Sequence, residues 1–337
     1  VKTDFPDPPA ISTVIAEPSE LVAGEIFRLS AAISHEGDGI GDVLADMQPL
    51  GGSSLTRMFD DGDSAHGDAA ADDGIYSLRM VVPWGNPGGE KIITVKAFDA
   101  SNASFSTDGS ATVQVTANID PILVFPDATG DDHGPNQADS ANKYYTYPTN
   151  IAFVPGAFDL TGLTVYETKV NIGGEDIDMI AFQVGLVDFP DPNDPGTASW
   201  SPLYANLNIE KIDILIDSAP GGATATLPQR QAGVQRWDAW DYAIVMDGWY
   251  KALIPSLGQN TLDSWRDNAL SSNRDITIIG DPDQDVVTAF VSKAALGNPT
   301  VEDILRWDMV VSVAGHDFGG EEVLGGCRWV NESRSEW

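Results

Sequence analysis

Asp127, Asp131 and Asp132 stand beside Gly130, Gly134 and Pro135 in a short run, and Asp159 follows after Pro155, Gly156 and Phe158. Carboxylates on a backbone that must turn sharply are the donor set of a hard cation. Calcium takes six to eight oxygens at flexible geometry, and Gly and Pro let one loop wrap it. The other reading of such a run is an Asp/Gly turn with solvated carboxylates. A second acidic stretch lies between Met58 and Pro83, where Asp60, Asp61, Asp63, Asp68, Asp72 and Asp73 fall within one loop between two apolar runs. It is not an EF-hand, because no Glu closes the run and its flanks read as strands. Calcium or a solvated acidic turn both remain open there, and the lone His66 reads as a surface residue.

Smaller acidic groups recur. Asp281, Asp283 and Asp285 alternate between two apparent strands, Asp217 closes the run IDILID, and Asp188, Asp191 and Asp194 stand among prolines. Alternation along an extended loop can bring carboxylates to one side, although hairpin turns favour Asp without any ion. A separate, aromatic-rich segment contains Trp237, Trp240, Tyr242, Trp249, Tyr250 and Trp265. It can stack on sugar rings or fill a sandwich core, and exposed aromatics beside Asp241 or Asp247 would favour the first.

These residues belong to a chain of 337 residues with Lys+Arg 18 against Asp+Glu 51, a formal net charge of −33. That charge opposes nucleic acid and anionic membrane as partners and favours cations, while a salty habitat is a competing reason for it. The single Cys327 makes no internal disulfide. No apolar run is long enough to span a bilayer. No nucleophile elbow, P-loop, zincin or dinucleotide motif occurs in a fitting context, so the expectation is a protein without catalysis. Asn102-Ala103-Ser104 and Asn331-Glu332-Ser333 match the N-glycosylation sequon.

The elements that must hold these groups are short alternating runs bounded by Gly, Asp, Asn and Pro. STVIAEP, EIFRLSAAI, DVLADMQPL, YSLRMVVP, KIITVKAFDA and TVQVTANI come first; LTVYETKVNI, MIAFQVGLVDF, LNIEKIDILID, WDYAIVMDGW, DITIIG, VVTAFVSKAAL and WDMVVSVAG follow. Only TLDSWRDNAL and PTVEDILRW read as short helices. The pattern predicts an all-β chain of two tandem β-sandwich domains: an extended arm over 1–9, an immunoglobulin-like sandwich over 10–119, and a larger jelly-roll sandwich over 120–337.

Two stretches carry resemblances. The acidic loop MFDDGDSAHGDAAADDGIYS resembles the DDG…HGD…GDGIYS loop of immunoglobulin-like modules in bacterial and archaeal surface proteins. DATGDDHGP…YTYPT…FVPGAFDL, with IDILIDSAPGGATATLPQR…WDAWDYAIVMDGW and GNPTVEDILRWDMVVSVAGHDFG, resembles the C-terminal module of glucodextranase, which also occurs in amylopullulanases. That resemblance implies a DOMON-like sandwich that is not catalytic, serves surface binding or attachment, and uses Asp127, Asp131, Asp132 and Asp159 as its best metal ligands. This chain departs from the pattern in carrying NQADSANK after Pro135 and in stopping at Trp337, before an expected last strand.

Together these readings lead us to expect a calcium-stabilised extracellular or cell-surface protein with an attachment role, its second domain binding polysaccharide. Two alternatives stand beside it. One is a self-assembling subunit of a surface layer or filament, its copies joined by strand addition at an open edge. The other is a fragment of a larger secreted glycoside hydrolase.

Overall fold

The computed structural model describes residues 8–36, 39–118, 120–130, 156–189, 207, 210–225, 227, 239–316 and 327–334. The chain divides into two units, Val1–Asp120 and Pro121–Trp337. Strands dominate both, and the all-β expectation holds.

In the first unit the strands are β1 (Ala10–Glu17), β2 (Glu20–Val22), β3 (Ile26–Ser34), β4 (Ile40–Asp46), β5 (Thr56–Arg57), β6 (Ile75–Val81), β7 (Gly89–Asp99) and β8 (Ser106–Thr116). They form a three-stranded sheet in the order β1-β3-β6 and a five-stranded sheet in the order β2-β8-β7-β4-β5. Alternation explains why the sheets face each other. Phe27, Leu29, Ala31 and Ile33 of β3 meet Ile93, Val95 and Ala97 of β7 in one buried core, and the intervening residues point outward. The chain changes sheets between β1 and β2 at Pro18-Ser19, where a residue without an N–H suits a break in the ladder. The acidic loop leaves β5, pairs Phe59 with Ser77 in an antiparallel bridge, and returns into β6.

The second unit contains β9 (Leu123–Pro126), β10 (Leu160–Ile172), β11 (Glu175–Leu186), β12 (Glu210–Asp217), β13 (Tyr242–Asp247), β14 (Lys251–Pro255), α1 (Leu262–Asn268), β15 (Ile276–Asp281), β16 (Val286–Ser292), α2 (Val301–Ile304), β17 (Asp308–His316) and β18 (Cys327–Arg334). Two five-stranded antiparallel sheets, β15-β16-β11-β10-β9 and β14-β13-β12-β17-β18, enclose the main core of Ile180, Phe182, Ile212, Ile214, Ile244 and Val311. Both short helices start on a Thr that accepts a bond from the first turn. Thr261 caps α1, and Thr300 with Asp303 makes a capping box on α2.

A second apolar cluster lies on the other face of the β14-β13-β12 end. Ala243, Val245, Ala252 and Ile254 alternate with the main-core residues and meet Ala223, Leu227, Trp240 and Trp265, the last carried by α1. This sheet is therefore covered on both faces here, which is why β13 and β14 read as nearly continuous apolar runs.

Candidate functional sites

Local turn chemistry builds the acidic loop of the first unit. Asp60 accepts bonds from the Asp73 and Gly74 amides at 3.1 and 3.0 Å, which ties the two ends of the loop together. Asp68 is buried and accepts from the Gly62 amide at 2.7 Å and the Ala69 amide at 2.8 Å. Asp73 is exposed and accepts from Ile75 N–H at 2.9 Å. These bonds bring one carboxylate oxygen each of Asp60, Asp68 and Asp73 within 4.8 Å of one another. Two oxygens bound to one calcium, each about 2.4 Å from it, can stand no farther apart than about 4.8 Å, so the spacing fits a shared ion. Like charges at that distance repel unless a cation lies among them. The local field is negative enough to act on a neighbour: burial first, and then the Asp60 and Asp72 carboxylates, push the Tyr76 hydroxyl above its ordinary value.

The other acids of the loop are placed differently. Asp61 binds the His66 ring through Nδ1 at 2.8 Å and the Asp63 amide at 2.9 Å, and His66 stacks on Phe59 with ring centroids 3.9 Å apart. Asp63 accepts from the Ala65 amide, and Asp72 takes a left-handed conformation at φ 60°. His66 is thus a packed wedge under the loop, with part of its surface covered.

In the second unit Asp159 is buried and accepts from the Gly130 amide at 2.7 Å, which binds the Asp127–Gly130 turn to the start of β10. Asp127 N–H donates to the Thr161 carbonyl in the same corner. Asp131 and Asp132 lie outside the described residues, as do Asp191, Asp194 and Trp237. Asp217 sits at the end of β12 opposite Asp308 of β17.

Asp281, Asp283 and Asp285 occupy the β15–β16 hairpin, where the carboxylate of Asp281 ties the turn together and that of Asp285 ties it to Phe189. Asp281 accepts from the Asp283 amide at 3.1 Å and from the Gln284 side chain at 2.6 Å, while Asp285 accepts from Phe189 N–H at 2.9 Å. The hairpin thereby pins the end of β11. Among the described residues, the three do not come together as the Asp60 group does.

Burial pushes the Asp281 carboxyl up to about 6, against the bond from Gln284. Its folded-state value therefore exceeds the unfolded one of about 3.9, and the folded chain holds this proton longer. The stabilising contribution is full below about pH 4 and is lost as pH rises through 6. With a chelator present, Asp281→Asn is expected to match the parent near pH 4 and to exceed it by about 2 kcal/mol at pH 7. This is less than the full shift represents, because an amide accepts more weakly than a carboxylate. Urea unfolding at both pH values checks it, and a gap that does not change with pH would contradict it.

The aromatic segment separates into two kinds of residue. Trp240 is fully buried, donates its indole N–H to the Ala225 carbonyl at 2.9 Å, and meets Trp265 at 5.4 Å between centroids. Its ring faces the second core and is closed to a ligand. Trp249 and Tyr250 stand on the β13–β14 hairpin, Trp249 partly exposed and Tyr250 43% exposed. The hairpin is fixed from below. Asp247 accepts from the Trp249 amide at 2.9 Å and pairs with Lys211, its register partner on β12, at 3.1 Å with both side chains buried. The positive charge of Arg266, an exposed residue on α1, reaches the Tyr250 hydroxyl, although burial is the larger influence and raises its pKa. Lys211 carries no motif. Its only signal is a charge inside the apolar run LNIEKIDILID, where an unpaired cation would not be buried.

Residues 122–337 match the family described as the C-terminal, SLH-like binding module of glucodextranase. The chain belongs to this family. The glucodextranase module is a binding domain and not a catalytic one, and it accounts for the greater part of this chain. No curated protein matches the chain. No helix among the described residues is long and apolar enough to cross a membrane.

Proposed function

We propose that this is a calcium-stabilised surface protein without catalytic activity, whose second unit holds a polysaccharide on the β13–β14 hairpin. The observation that carries the reading is the exposed Tyr250 ring, with the partly exposed Trp249 next to it on that hairpin, in a unit that belongs to a binding-module family. Tyr250 offers an exposed ring, Trp249 a partly exposed one, and Arg266 a cationic donor for sugar hydroxyls beside them. Aromatic faces suit the apolar side of a sugar ring, and the buried Lys211–Asp247 pair sets the hairpin before any ligand arrives, which reduces the ordering cost of binding. In the first unit, Asp60, Asp68 and Asp73 supply the calcium ligands, and the ion would hold the acidic loop closed.

Affinity electrophoresis through gels of soluble α-glucans and of cell-wall polysaccharide tests the hairpin. Trp249→Ala and Tyr250→Ala are each expected to weaken retention roughly tenfold or more, as central aromatic contacts do. Their melting temperatures should stay within a few degrees of the parent, because neither ring belongs to a core cluster. Undiminished retention of the double variant would move the binding surface elsewhere.

A further inference from the structure

The two sequons are held in opposite backbone states. Asn102-Ala103-Ser104 forms the exposed tip of the loop joining β7 to β8. Its conformation is set by hydrogen bonds. The Asn102 carboxamide oxygen accepts from Ser104 N–H at 3.0 Å, and the Asn102 carbonyl accepts from Phe105 N–H at 2.9 Å. Asn102 N–H itself donates to Asp99 Oδ1 at 2.8 Å, and Asp99 is buried and held by His35 Nε2 at 2.7 Å. The tripeptide is therefore a preformed turn on a rigid base. Its Nδ2 amide makes no hydrogen bond among the described residues and lies on an exposed side chain. Asn331-Glu332-Ser333, by contrast, runs as extended backbone within β18, each residue paired in register with β17.

We propose that Asn102 is a modification site that accepts an N-linked saccharide, and that the fold selects it over Asn331. An enzyme that must take a three-residue turn into its site finds that turn already made at Asn102, so little ordering cost remains. At Asn331 the same turn would require pulling β18 from its ladder. The co-reactant is a saccharide activated by a phosphate or pyrophosphate ester at its anomeric carbon, with its transferase. Asn102 Nδ2 bonds to that carbon, the bond from the carbon to the ester oxygen breaks, and one amide proton passes to a base of the transferase. No electron donor or acceptor is needed. The inference rests on the surface reading, since such a saccharide is attached to surface and exported chains.

The test is peptide mapping by mass spectrometry on the full chain recovered from the surface fraction of its own source cells, with Asn102→Gln produced in the same cells. The expected result is saccharide mass on the peptide spanning Asn102, none on the peptide spanning Asn331, and loss of that mass in the variant. Surface-fraction protein with an unmodified Asn102, or equal occupancy at both asparagines, would overturn the inference. Finding the chain only in the cytosolic fraction would instead overturn the surface reading and take this inference with it.

Discussion

Chelation of calcium is expected to lower the melting temperature of the first unit by roughly 10 °C or more at moderate salt. An ion that binds only the folded state adds about 2.7 kcal/mol at a free concentration a hundredfold above its Kd, and 1 kcal/mol moves a unit of this size by about 4–8 °C. The effect should concentrate where three carboxylates converge. Asp60 closes the loop ends, Asp68 is buried beneath the turn, and Asp73 faces outward with its own backbone bond satisfied. Asp73→Asn is the gentle variant, because an amide oxygen can still accept from Ile75 N–H while the charge is gone. It should abolish most of the calcium-dependent shift and leave the chelated protein nearly unchanged. The net charge of −33 supplies a rival cause, since any cation relieves general self-repulsion. Monovalent salt near 0.5 M screens that repulsion over a few ångströms. A calcium shift that vanishes in such salt and survives Asp73→Asn would assign the effect to bulk charge and remove the site.

The strands that bury one face in each sandwich were legible because alternation is a direct image of a half-buried ladder. β3, β7 and β8 show it clearly, with Phe27, Leu29 and Ala31 or Ile93 and Val95 on every second position. Strands too short to alternate were not legible. β2, β5, β9 and β14 have three, two, four and five residues, and β14 ends at Pro255. Such elements exist because neighbours offer them a ladder, which a local pattern cannot express. The acidic loop was visible as composition, but its members were not ranked. Asp60, Asp68 and Asp73 converge because the chain doubles back through the Phe59–Ser77 bridge, while Asp61 and Asp63 are spent on turns and on His66. Lys211 was invisible for the same reason: its meaning lies in Asp247, 36 positions away, and only register brings them together.

Trp240→Ala is expected to cost about 3–5 kcal/mol of second-unit stability, whereas Trp249→Ala should cost well under 1 kcal/mol. The two residues lie in one aromatic run, and alternation alone does not tell them apart. Trp240 is fully buried against Trp265, Ala243 and Val245, so its removal leaves a large void on the outer face of β13 and strands the Ala225 carbonyl that the indole had satisfied. At about 2–4 °C per kcal/mol for a unit of this size, the melting temperature should fall by roughly 10 °C. Trp240→Phe refills most of the volume without the N–H, and should recover more than half of the loss. The cavity and the orphaned carbonyl are thereby separated. Because Asp241 caps the neighbouring turn through Ser218 and Ala219, collapse at Trp240 would also loosen the entry to β13 and lower glycan retention as a secondary effect. Retention that falls in Trp240→Ala only in proportion to the unfolded fraction would show that this ring supports the sheet and does not itself contact the glycan. A stability loss below about 1 kcal/mol would show instead that Trp240 is not the centre of the second core.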